Sequence, residues 1–222
     1  MNYVISIVNP EALDALTDIC ARLELPVTVT MYARGTAVQS MLELLGIESS
    51  EKRVVVAVAT QEKTKKLIAE QRRLLHLGVP GHGMVIAVPI KSVGGGKVLA
   101  YLSGDEKNIK RTMPELGSYE LIVAIANSGY TDMVMNAARG AGARGGTVLH
   151  GKGTGSKNAP KFHTISIADE KELVLIVAHA REKAEIMRAI IEKAGGNTPA
   201  AAIAFSLPTT EVAGFGLFDG EE

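Results

Sequence analysis

Tryptophan is absent from this 222-residue sequence, phenylalanine and tyrosine together make up only 4%, and one cysteine, Cys20, stands alone. So few aromatics exclude the stacking platforms that read single-stranded nucleic acid or grip sugars. A lone thiol closes no intrachain disulfide. The first residues, MNYVISIVNP, carry neither a basic region nor a long apolar run with a cleavage site, so a reducing cytoplasm is the expected setting. The longest apolar stretches, such as Val54 to Ala59, are strand-sized, far from the ~20 residues that span a bilayer. Direct membrane insertion is not expected. Charge of one sign is lacking too, with 24 Lys plus Arg against 24 Asp plus Glu, which disfavours bulk attraction to nucleic acid.

Catalytic patterns are equally missing. No Ser-His-Asp or Cys-His arrangement and no isolated carboxylate pair stands out, so an enzyme is not expected. His76, His82, His150, His163 and His179 lack short metal-ligand spacing, and no metal site is assigned. Cys20 beside Ile19 reads as a small core residue. Lys63, Lys65, Lys66, Arg72 and Arg73 read as the solvated face of a helix.

What is present is a globular composition, 46% apolar and 22% charged with 23 glycines, and an internal repeat. Laying Tyr3 to Asn9 on Leu121 to Asn127 also brings Asp14 onto Asp132 and Arg34-Gly35-Thr36 onto Lys152-Gly153-Thr154. One extra loop residue later, Glu51-Lys52 meets Glu170-Lys171, Val58-Ala59 meets Val177-Ala178, Pro80 meets Pro199 and Pro89 meets Pro208. The order never breaks, which indicates a tandem duplication.

Each half alternates period-2 and helical patterns. In the first, strands are expected at 3–8, 27–33, 53–59 and 84–90. Leu13, Leu16, Ile19 and Leu23 mark one helix, started near Pro10, and Leu67, Ile68, Gln71, Leu74 and Leu75 mark another. In the second, strands fall at 121–126, 146–150, 172–178 and 202–207, with helical stripes at Met133, Val134, Ala137 and at Ile186, Met187, Ile190. The order βαββαβ predicts an α+β chain of two tandem ferredoxin-like domains with antiparallel sheets. The boundaries are 1–96, a polar linker at 97–118 whose Val98 to Leu102 suits an added strand, and 119–222. Val54 to Ala59 and Leu173 to Val177 are apolar on both faces, the pattern of strands buried twice, and oligomerisation through sheets is the simple way to cover the second face.

Several of these residues resemble the PII-type nitrogen-regulatory signalling family. Asn9-Pro10 with Leu13-Asp14 is similar to that family's start after strand one. Lys152-Gly153-Thr154-Gly155, with Arg34-Gly35-Thr36-Ala37 as a weaker copy, resembles its Lys-Gly-x-Gly element. Leu77 to Ile86 resembles its nucleotide-phosphate loop. Physically, Gly78, Gly81 and Gly83 permit positive φ and let backbone N–H groups approach an anion, although a glycine-rich turn also simply leads into a strand. The 152–155 element can equally be a strand-ending bulge. The family's loop aspartate and lysine are His82 and Met84 here, so charge neutralisation falls to another group such as Lys97.

The resemblance implies a non-enzymatic signal-transduction regulator that binds a small anionic effector between domains, with ATP, ADP or AMP foremost. The ligand set it implies is Arg34, Gly35, Thr36, Gly78, Gly81, His82, Gly83, Lys97, Lys152, Gly153, Thr154 and Gly155. It also implies a homo-oligomer, a trimer, acting on a target enzyme or membrane transporter through loops 36–51 and 155–170. The alternative is a PII-like scaffold, or a sensor of metal or bicarbonate, that has lost nucleotide binding. It is favoured by the loss of glycines in 196–203.

Overall fold

The computed structural model describes residues 1–36, 50–79, 81–93, 101–102, 114–153, 161–162, 165–166 and 170–214. They form two compact units, one of Met1–Tyr32, Gln39–Tyr119 and Pro208–Glu222, the other of Ala33–Val38 and Glu120–Leu207. Two consecutive blocks were the expectation, and hydrogen bonding explains the difference. The end of strand β2 (Thr28–Gly35) pairs with β6 (Thr147–Lys152), Ala33 opposite Leu149 and Gly35 opposite Thr147. The short β11 (Glu211–Ala213) pairs with β4 (Gly83–Pro89), Val212 opposite Ile86, while Thr210 N donates to Ala87 O at 2.8 Å.

In the first unit, β1 (Asn2–Val8) lies between β3 (Glu51–Ala59) and β4, antiparallel to both, so that Ile5 sits opposite Val56 on one side and Ile86 on the other. The start of β2 lies beside β3 and β11 adds an edge to β4. A 3-10 turn at Pro10–Ala12 leads into helix α1 (Leu13–Arg22), whose Leu16, Ile19 and Cys20 are buried. Thr60 caps α2 (Gln61–Leu74) by accepting from Lys63 N, supplying one of the partners that a helix start otherwise lacks. On α2, Thr64, Leu67, Ile68 and Gln71 face inward, the i, i+3, i+4, i+7 stripe of an amphipathic helix. Leu74, expected in that stripe, is 39% exposed at the last turn. The helices meet the sheet over Val4, Val8, Val55, Val85 and Ala87.

The second unit repeats the plan: β5 (Tyr119–Asn127), α3 (Thr131–Gly140), β6, β9 (Glu170–His179), α4 (Lys183–Ala194) and β10 (Ile203–Pro208), in the order β10-β5-β9-β6. Val148 stands opposite Val174. Its core joins Ile122, Ala124, Val134, Met135, Ile176, Ile186 and Ile190. A two-residue hairpin pairs β7 (Lys161–Phe162) with β8 (Ile165–Ser166). Both units therefore have the split-βαβ, ferredoxin-like topology. Tyr101 and Leu102, expected in an added strand, are helical, while 98–100 lie outside the described residues.

The strands are buried on both faces, as their pattern requires, and this happens within a single chain. Ile5, Ile7, Val54, Ile86, Leu121, Val123 and Val177 are all below 8% exposed, although they alternate with the helix-facing residues.

One core position is under-satisfied. Gln71 is fully buried, yet among the described residues neither its Nε2 nor its Oε1 has a hydrogen-bond partner. A buried polar group without partners costs about 1–3 kcal/mol. Gln71→Met, similar in length and unbranched, is expected to raise stability by about 1–2 kcal/mol, read as a higher urea midpoint at unchanged slope. A lower midpoint would mean that the amide contributes to the native packing.

Candidate functional site

In the first unit, chemistry gathers where β1 ends, β3 begins and the turn before β4 passes. The Lys52 ammonium donates to Asn9 Oδ1 and to Gly81 O, the latter at 2.8 Å. Burial pushes this lysine below its ordinary range, and Glu11 opposes that shift, as a nearby carboxylate must. Lys52 thus ties strand ends to the glycine turn and holds a half-buried positive charge there.

The turn departs from ordinary backbone at several points. His76, Gly78, Gly81 and Gly83 have φ of 51°, 121°, 82° and 118°. Val79 N donates to His76 O and His82 N to Val79 O, both at 3.1 Å. The His82 ring lies against Leu75 O through Nδ1 at 3.3 Å and edge-on to His76, with ring centroids 6.3 Å apart. The glycines have different reasons to be glycine. A Cβ on Gly83 would sit 2.1 Å from Ile7 O, so close packing against β1 requires it. Among the described residues nothing lies within 4 Å of a Cβ on Gly78, so its side of the turn is open there.

The second unit carries a counterpart. Lys171 Nζ donates to Asn127 Oδ1, and Asn127 Nδ2 donates to Pro199 O at 2.8 Å. The repeat matches Asn9 with Asn127 and Lys52 with Lys171, so duplicated positions make the same bond. Neighbouring positions have diverged. Where the first unit sets the Arg53 guanidinium 4.6 Å over the Tyr32 ring, the second sets His150 opposite Glu172, with Nδ1 3.6 Å from the carboxylate. Glu172 is buried and accepts from Thr131 Oγ1 at 2.6 Å. Burial alone would push its carboxyl upward, but the Thr131 hydroxyl, the backbone N–H groups of Gly129 and Thr131, and His150 together hold it below the usual range.

The other residues expected in a ligand set distribute as follows. Gly78, Gly81, His82 and Gly83 form one turn. Arg34 and Gly35 end β2 in register with Val148 and Thr147. The Thr36 hydroxyl accepts from Gly146 N at 2.9 Å and donates to Gly146 O at 3.0 Å, while Arg139 donates to Thr36 O; these bonds tie the segment to the second unit. Lys152 ends β6 opposite Glu170, with Gly153 next. Lys97, Thr154 and Gly155 lie outside the described residues, as do 37–49 of the first loop and most of the second. Lys52, Asn9, Lys171 and Asn127 were not assigned from sequence. The repeat alignment was the signal that could have found them, since it pairs a lysine with a lysine and an asparagine with an asparagine. Among the described residues, no group of three or more His, Cys, Asp or Glu can hold a metal, and no helix is long and apolar enough to cross a membrane.

Comparison with known proteins places residues 119–215 within the family model described as nitrogen regulatory protein P-II. No curated protein sequence matches the chain. Among solved structures, Arabidopsis thaliana PII bound to citrate is similar over 41% of this chain and 75% of that one, at 23% identity and a TM-score of 0.31. An unknown protein from Galdieria sulphuraria is similar over 93% of this chain and 97% of that one, at 10% identity and a TM-score of 0.29.

Proposed function

We propose that the chain is a non-enzymatic regulator of the PII kind, in which the turn at 78–83 of the first unit binds a small anionic effector, an adenine nucleotide before others. The observation that carries this reading is the Lys52 ammonium at the Gly81 carbonyl, a charge held in place beside a turn whose Gly78 is open. The family match over 119–215 supports the regulatory class. Positive-φ glycines free backbone N–H groups to converge on an anion, and a half-buried cation adds charge that solvent screens weakly. Arg34, Gly35, Thr36 and the 152–155 element belong to the same reading as the second place where a cation stands beside glycine. To signal, the effector must bind one state of loops 36–51 and 155–170 better than another. Those loops then act on a target enzyme or transporter, in the cytoplasm and in a trimer of such chains.

A thermal-shift panel of ATP, ADP, AMP, citrate and bicarbonate tests the reading. A ligand at 100 times its Kd adds about 2.7 kcal/mol. A selective shift is expected, lost in Lys52→Met and kept in Lys171→Met. No shift with any of the five would remove the sensor reading and leave the scaffold. A shift lost only in Lys171→Met would move the site to the second unit.

A further inference from the structure

Two histidines meet where α2 ends. Leu75 closes the helix, and His76 follows it with φ 51°, the left-handed conformation that ends many helices and that glycine normally takes. The same turn does place glycine at 78, 81 and 83, where φ is also positive. An imidazole at 76 therefore stands where the backbone favours no side chain at all. What it meets is His82, edge-on, with ring centroids 6.3 Å apart.

The two rings are held differently. His82 Nδ1 lies 3.3 Å from Leu75 O. A carbonyl only accepts, so this nitrogen carries the proton and Nε2 keeps its lone pair. A ring N–H held on a backbone carbonyl is the contact that orients metal-binding histidines from behind. His76 is exposed and free to turn about its side-chain bonds. Two imidazoles on one zinc ion, with Zn–N of about 2.0–2.1 Å, have centroids roughly 5 Å apart, so a small rotation of His76 brings the pair to that spacing. The helix end favours a cation as well, since the last carbonyls of α2 carry its negative pole. Arg73, in the last turn, has its charge matched by Glu70 at 3.0 Å, and Lys52 has its own acceptors in Asn9 Oδ1 and Gly81 O.

We propose that His76 and His82 together bind a divalent transition-metal ion of the class that imidazole prefers, zinc, copper or nickel, at the C-terminal end of α2. No group of three His, Cys, Asp or Glu forms among the described residues, so two protein nitrogens hold the ion and water takes its other positions. His82 also belongs to the turn proposed to bind an anionic effector, but the metal site needs no effector, and the two readings stand or fall separately when the metal is tested alone.

Zn²⁺ titrated calorimetrically into the untagged full chain, with no nucleotide present, is expected to fill one site per chain. His82→Gln and His76→Gly should each weaken binding about tenfold or more, because the second ligand of a chelate binds at the effective concentration that its tether sets. His76→Gly suits the positive φ and is expected to keep the wild-type urea midpoint, which sets loss of metal apart from loss of fold. His150→Gln, in the second unit, should bind as the wild type does. Undiminished affinity in either variant of the turn would overturn the proposal. So would an equal loss in His150→Gln, or no binding of Zn²⁺ to the wild-type chain.

Discussion

Gly83→Val is expected to destabilise the first unit by about 4 kcal/mol or more, at the top of the range for single substitutions. Two independent causes act at this position. Its φ of 118° is one that L side chains rarely adopt, and a Cβ would stand 2.1 Å from Ile7 O and 3.1 Å from Val8 Cα. Backbone strain alone costs about 1–3 kcal/mol. The steric conflict adds to it, because the atoms in the way belong to β1, the central strand of the unit. Gly78→Ala provides the contrast, with comparable φ but open space, and should cost only the strain. Urea unfolding compares the two. Equal midpoints for both variants would mean that β1 yields at Ile7 and that strain dominates. The pair also separates stability from binding, because Gly78 can be changed without touching β1, whereas loss of an effector in Gly83→Val would report only a broken strand.

Glu172→Ala is expected to cost about 3–4 kcal/mol, since breaking a buried, hydrogen-bonded charge leaves its partners unsatisfied. The carboxylate serves the N-terminus of α3 through Thr131 Oγ1 and the backbone N–H groups of Gly129 and Thr131, where a helix start has unpaired donors and favours negative charge. Its pH dependence has a definite sign. Because the folded pKa lies below the unfolded value of about 4.3, the stabilisation is complete above that value and is lost as pH falls through the lower folded one. Stability of the wild-type chain should therefore fall on acidification below about pH 5 more steeply than that of Glu172→Gln. Parallel curves for the two would show that the carboxylate charge is not what holds the helix start.

The fold was legible wherever burial imposed a period. Val54 to Ala59 could only be a strand buried twice, and Leu16 with Ile19, or Ile186 with Ile190, could only share one helix face. The duplication then carried the topology from one half to the other. What escaped were pairings with no periodic signature. Three residues, Glu211 to Ala213, form a strand only because β4 has a free edge, and the end of β2 joins the second unit because β6 lies alongside it. Leu74 fits its stripe by spacing, but at the end of the helix Leu75 takes the buried place and leaves Leu74 outside. The site was legible as a glycine pattern, but the reason for each glycine was not. Gly83 answers to Ile7 O, a contact between residues far apart in sequence, while Gly78 meets nothing among the described residues. Lys52 and Asn9 were visible as repeat matches, and their role emerged only with the geometry that joins a strand end to a turn carbonyl.

The burial of both faces of the strands within one chain bears on how this molecule persists. A repeat unit whose second face waits for another molecule exists only above the concentration at which it associates. Here Ile5, Ile7, Val54, Leu121, Val123 and Val177 find cover as soon as the polypeptide folds. Their apolar side chains are therefore withheld from chance encounters with other exposed apolar surface.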